Sequence, residues 1–191
     1  MAPPIISGTR VVHDGWSRFV VAEVTMPDGS VLKREIEDHG RAVGVLPYDP
    51  ERRVAMLVSQ FRAPAFLADG SPEMLEAPAG LLDEHEPDEG ARRETYEETG
   101  INLGRLESVV RAFAMPGIST EQMDLYLAPY GEQDRCGPGG GLAEENEAIT
   151  LHELPLSEIA AMSDRGAITD MKTLVLVYAL RLRHPHLFAG A

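Results

Sequence analysis

The sequence predicts an α+β fold, layered as an α/β/α sandwich and preceded by an N-terminal antiparallel β-meander. Three observations carry this. Strand-type apolar patterns come first, one helix is inserted, more strands follow, and two helices close the chain. Phe19–Val24 and Val31–Ile36 flank Pro27-Asp28-Gly29, a turn signal, so that residues from about Arg10 to Asp38 read as the meander. A helical stretch from about Pro87 to Thr99 has proline in its first turn and Gly100 as its stop.

The other elements follow in order. Ala42–Leu46 and Val54–Val58 are strongly apolar strands joined through Asp49-Pro50-Glu51, and residues 63–73 read as a loop. A short extended piece, Met74–Pro78, leads toward the central helix. Strands are expected at 105–113 and 122–129, then a glycine-rich, acidic, mobile loop at 131–147. A strand at 149–154 precedes helices at about 156–165 and 170–183, the last carrying Leu174, Val175, Val177, Tyr178 and Leu182.

Composition narrows the function. At 191 residues the chain fits one domain with a small appended element and can bury a sizeable core. A net charge of −14 argues against an electrostatic grip on nucleic acid or anionic membrane. A phosphate-bearing ligand would therefore need metal ions or a local Arg/Lys cluster. The single cysteine, Cys136, excludes an internal disulfide and fits a reducing compartment. With no membrane-length apolar run and no secretion-type start, the expected location is the cytoplasm.

The segment richest in chemistry is Arg93-Glu94-Thr95-Tyr96-Glu97-Glu98-Thr99-Gly100. Glu94 shares a helix face with Glu97 and Glu98. Acids at a helix C-terminus oppose the macrodipole at about 0.3–1 kcal/mol each, so an exposed helix gains nothing from them. A hard divalent cation would offset that cost.

Pro78-Ala79-Gly80-Leu81-Leu82-Asp83-Glu84-His85-Glu86, taken with Arg93-Glu94, Glu97-Glu98, Gly100 and Ile101, resembles the Nudix box. The family pattern has seven residues between its first glutamate and the Arg-Glu pair; Pro87–Arg92 supply six, and Thr95 replaces an aliphatic. The departure shifts Glu86 and leaves the acidic turn intact. The resemblance implies the Nudix α/β/α sandwich over residues 40–191, with 1–39 as the meander. It also implies Mg²⁺, or Mn²⁺ in its place, held by Glu94, Glu98 and the main-chain carbonyl of Ala79. Glu97 would be a ligand or lie just outside the ligand shell, and Arg93 would orient the glutamates or simply pair with Glu97.

Further stretches, Val58–Arg62, Leu75–Gly80, Met115-Pro116-Gly117 and Leu154-Pro155, look like the branch of the family that hydrolyses nucleoside diphosphate sugars. The shortened box and Ile168–Thr173 lean toward GDP-mannose, and the loop Gly141–Ile149 leans toward ADP-ribose. By that resemblance the loop supplies the general base, Glu145 among Glu144, Glu145 and Glu147, and Glu147 is a further metal ligand. A hinge of Gly137, Gly139, Gly140 and Gly141 would let the acid swing in. Arg62 matches a phosphate-contacting arginine. Trp16, Lys33, Arg34 and Glu35 match positions that hold the nucleotide, and Gly80 and Glu121 are likewise assigned to substrate. Trp16 would either stack on a base or anchor the meander. Lys172 would either meet a phosphate or cap the last helix. The meander would pair across a homodimer, since a lone small sheet is marginally stable. A catalytically silent nucleotide sensor on the same fold is the alternative, set against the retention of Glu94, Glu97 and Glu98. A calcium-binding loop is excluded by the absence of its alternating acids.

Overall fold

The computed structural model describes residues 2–82, 86–142 and 147–189, and the chain divides into two compact units. The first comprises the chain up to Arg41 together with Ala112–Met123; the second comprises Ala42–Arg111 and Asp124 onward.

The first unit is built on a three-stranded antiparallel sheet of β1 (Ile5–Asp14), β2 (Arg18–Thr25) and β3 (Val31–Asp38). The turn expected at Pro27-Asp28-Gly29 is present. Asp28 Oδ1 accepts the Ser30 N–H at 2.9 Å, and Gly29 N–H donates to Met26 O at 2.9 Å. The meander starts earlier than its apolar pattern suggested, because β1 is exposed almost throughout and has no buried periodicity to read. Only β2 buries side chains, Val20 and Ala22. The segment 112–123 is stitched to the end of β3: Glu37 N–H donates to Ile118 O at 2.8 Å, and Thr120 N–H donates to Glu37 O at 3.0 Å.

In the second unit β4 (Arg41–Asp49) and β5 (Val54–Gln60) are buried along nearly their whole length. A strand buried on both sides is covered on both sides, which is why these two read as continuous apolar runs. The sheet order is β10-β5-β4-β9-β8, with β8 at Glu107–Phe113, β9 at Gln122–Pro129 and β10 at Thr150–Pro155. Two short strands hang from its centre: β6 (Met74–Glu76) on β5 and β7 (Ala79–Leu81) on β4. Val43, Val45, Met56, Leu82, Ala91, Ile101, Leu103, Tyr126, Ala128 and Tyr130 form one core cluster, to which α2 (Pro87–Thr99) contributes Ala91. Helices α3 (Leu156–Asp164) and α4 (Met171–Arg183) bury Leu156, Ile159, Leu176, Val177 and Leu180.

One element departs in type. Residues Ala63–Asp69, expected as loop, form a helix, α1. It buries none of its residues and leaves Phe66 and Leu67 exposed, so it offers no amphipathic pattern to detect.

A polar knot ties Arg52 and Asp49 to Tyr130, Arg135 and Glu153. The Arg52 guanidinium donates to both Glu153 carboxylate oxygens at 2.7 and 2.9 Å and to Asp49 at 2.7 Å. Tyr130 donates its hydroxyl to Glu153 at 2.6 Å, and Arg135 joins the same carboxylate. Burial raises the Glu153 carboxyl, but these donors outweigh it and hold the group at about 2. Because that value lies below the ordinary one, the stabilisation is complete above about pH 4.5 and is lost as pH falls toward 2. Glu153→Gln should therefore cost about 1–2 kcal/mol at pH 7. Melting curves should show the gap to wild type closing below about pH 4; a gap independent of pH would contradict the assignment.

Candidate active site

Helix α2 and strand β7 bring the acidic cluster to its place. Pro87 opens the helix and Gly100, at φ 72°, closes it with its N–H on Tyr96 O at 2.8 Å. On the last turn Glu98 is 1% exposed, so the bland alternative of a solvated acidic helix fails here. Its Oε2 accepts the backbone N–H of Ala79 at 3.2 Å. Glu94 lies over Gly80 so closely that a Cβ there would stand 2.0 Å from the carboxylate carbon, so any larger residue would push the Glu94 carboxylate aside. Arg93 ties the group together, donating to Glu94 at 2.6 Å, to Glu97 at 3.0 Å and to Leu81 O at 3.2 Å.

The electrostatics are unfavourable without a cation. Burial, then the neighbouring carboxylates of Glu147 and Glu94, push the Glu98 carboxyl up to about 8. Among the described residues, no three His, Cys, Asp or Glu side chains close on one point as a ready-made metal shell. Glu94 and Glu97 are turned to Arg93, and Glu98 to the Ala79 amide. The donor chemistry nevertheless fits a hard divalent ion: the cluster is all oxygen, and positive charge joining it would favour the ionised form of its buried member.

Beside this cluster lies an ion network that sequence reasoning did not foresee. Glu76, 3% exposed on β6, accepts from Arg62 at 2.7 and 3.1 Å and from Lys172. Lys172 also pairs with Asp170 at 3.1 Å, and Asp170 caps α4 by accepting the Thr173 N–H at 3.0 Å. Burial alone would raise the Glu76 carboxyl, but Arg62 and Lys172 outweigh it and hold the group below its usual range. Lys172 thus does not itself cap the helix; it neutralises the buried carboxylates beside it. The signal available in the sequence was Glu76 itself, a charge inside the apolar stretch Leu75-Glu76-Ala77, which demands a buried partner.

A NUDIX domain model matches residues 38–171, more than half of the chain. The chain belongs to the Nudix family. Two curated relatives are GDP-mannose pyrophosphatases. That of Cronobacter sakazakii is 38% identical over 170 residues, covering 87% of each chain. That of Escherichia coli O1:K1 is 34% identical over 168 residues, covering 86% of this chain and 87% of the relative. A crystal structure of an ADP compounds hydrolase superposes with a TM-score of 0.78 at 16% identity, covering 97% of this chain and 96% of that one, and so shares the fold.

This Nudix hydrolase accommodates both departures in its box. Thr95 is wholly buried, but its hydroxyl is satisfied by Ala91 O at 2.8 Å, so it fills the aliphatic position without an orphaned polar group. Glu86 is the exposed N-cap of α2, at the opposite end from the cluster. In the acidic loop, Glu147 Oε2 accepts the Leu142 N–H at 3.1 Å. Glu144 and Glu145 lie outside the described residues.

The remaining sequence-assigned residues of the Nudix hydrolase fall in its first unit. Lys33, Arg34 and Glu35 on β3 line, with Arg10, Val21, Gly117 and Ile118, an open cavity of about 530 Å³. Trp16 is 79% exposed and stacks on His39, ring centroids 5.2 Å apart. The His39 ring is flanked by Glu37 at 3.5 Å and Glu121 at 3.4 Å.

Proposed function

We propose that the protein hydrolyses the pyrophosphate of a nucleoside diphosphate sugar with Mg²⁺, or Mn²⁺ in its place. GDP-mannose, giving GMP and mannose 1-phosphate, is the favoured substrate; ADP-ribose, giving AMP and ribose 5-phosphate, is second. The observation that carries this reading is Glu98, a buried carboxylate crowded by Glu94 and Glu147 in a chain 38% identical to a GDP-mannose pyrophosphatase.

Glu94, Glu98, Glu147 and the Ala79 carbonyl would hold the ion. Once bound, it supplies a water of lowered pKa and neutralises the pyrophosphate charge that a protein of net −14 would repel. Arg93 fixes the carboxylates of Glu94 and Glu97 in orientation. Glu145 takes the proton from the attacking water as the new P–O bond forms at one phosphorus, and the anhydride oxygen leaves with the other phosphate. Arg62 and Lys172, held in place by Glu76, meet the phosphates. Gly80 leaves room for the Glu94 carboxylate and borders the substrate. Across a homodimer, Trp16 would stack on the base bound at the partner's site, with Lys33, Arg34, Glu35 and Glu121 contacting its nucleotide or sugar. The exposed apolar side chains of β1, including Ile5, Ile6, Val11 and Val12, support pairing as a homodimer.

The purified protein with Mg²⁺, offered GDP-mannose, ADP-ribose, other nucleotide sugars and diadenosine polyphosphates, is expected to release monophosphate fastest from GDP-mannose. Release from none of them would put the silent-sensor reading first.

A further inference from the structure

The run Gly137-Pro138-Gly139-Gly140-Gly141 has the composition of a hinge, but its Gly137, Gly140 and Gly141 N–H groups are engaged on the C-terminal end of α2 and its cap. The last carbonyls of any helix lack intrahelical partners. Here Cys136 and Gly137 both donate their N–H to Gly100 O, at 2.9 and 3.0 Å. Gly140 donates to Glu98 O at 2.8 Å and Gly141 to Glu97 O at 3.1 Å. The contact is too close for side chains. A Cβ on Gly139, at φ 62°, would stand 2.7 Å from Glu98 O, and one on Gly100 would stand 2.1 Å from Gly137 O. The far side is fastened as well: Ile149 N–H reaches Gly140 O at 3.3 Å, and Glu147 N–H reaches Leu142 O at 3.2 Å.

We propose that residues 136–141 are a fixed strap, with Gly100 and Gly139 as positioning residues, that holds Glu147 facing Glu98 across a divalent cation site. This rests on the reading of Glu94, Glu98 and Glu147 as the ion-holding groups. Glycine is chosen for close approach, not for freedom of movement. The strap has a second effect. Its N–H groups place partial positive charge at the helix end where Glu97 and Glu98 would otherwise oppose the macrodipole.

The test uses the full chain, stripped of metal with EDTA and then titrated with Mn²⁺ alone, alongside amide hydrogen exchange of the metal-free form. The amides of Cys136, Gly137, Gly140 and Gly141 are expected to be protected like those of α2. Gly139→Ala is expected to weaken Mn²⁺ binding about 10–100-fold, the usual effect of disturbing what orients a ligand. Gly137→Ala, whose Cβ would first meet the Tyr96 hydroxyl at 3.1 Å, is the milder variant and should weaken binding less. Exchange at unprotected rates overturns the strap and restores the hinge, whether or not either variant folds. Protected amides with wild-type Mn²⁺ affinity in a folded Gly139→Ala protein overturn the positioning role and leave only a structural one. Glu98→Gln separates the two levels: wild-type Mn²⁺ affinity in that variant sinks the ion-site reading itself, independently of the exchange pattern.

Discussion

Glu98→Gln is expected to abolish Mg²⁺-dependent turnover and, at the same time, to stabilise the metal-free protein. The loss should be about 10²–10³-fold or more, as when a group that organises transition-state charge is removed. The gain has a separate cause. Burial beside Glu147 and Glu94 raises the Glu98 carboxyl from 4.5 to about 8, so between those values the folded protein binds a proton that the unfolded chain does not. Stability without metal therefore falls as pH rises through that window, and the penalty is fully developed above about pH 8. Glutamine is uncharged at every pH and can still accept from the Ala79 amide. At pH 8 in EDTA the variant should gain about 1–3 kcal/mol, seen as a melting temperature higher by a few degrees. Mg²⁺ should then raise the wild-type melting temperature more at pH 8 than at pH 6 and leave the variant unmoved. Wild-type turnover in the variant, or a wild-type melting temperature flat across pH 5–8 in EDTA, would count against the site.

Glu76→Gln should have the largest effect on stability. It leaves Lys172, whose side chain is 9% exposed, without its main counter-ion and leaves Arg62 one neutral carbonyl acceptor where it had two charged ones. Breaking a buried pair from one side costs about 3–5 kcal/mol, because the remaining charge stays desolvated. For a chain of this size that is a fall in melting temperature of roughly 6 °C or more. The double variant Glu76→Gln, Lys172→Met should recover part of the loss, since both poles are then gone. If the single variant melts within about 2 °C of wild type, Glu76 is not the counter-ion that the geometry indicates.

What was legible in the sequence was what burial and backbone chemistry write into local pattern. β4 and β5 are covered on both faces and read as apolar runs; α2 announces itself by Pro87 and Gly100. The acidic turn was legible because three glutamates at a helix end have no structural use. α1 and the start of β1 were not, because neither buries a side chain that could impose a period. The Glu76 network was hidden for another reason: Arg62, Glu76 and Lys172 are far apart in sequence, and only the fold shows them to be one object. The glycines at 137–141 were legible as a special segment, but not for what they do. Composition reports that side chains are absent, not whether that absence serves motion or contact.

The first compact unit is assembled from two stretches that are remote along the chain, the N-terminal strands and residues 112–123, joined where Glu37 exchanges backbone hydrogen bonds with Ile118 and Thr120. Removing the chain up to and including Glu37 would leave Ile118 O and Thr120 N–H without the backbone partners that Glu37 gives them, so neither stretch completes the unit without the other.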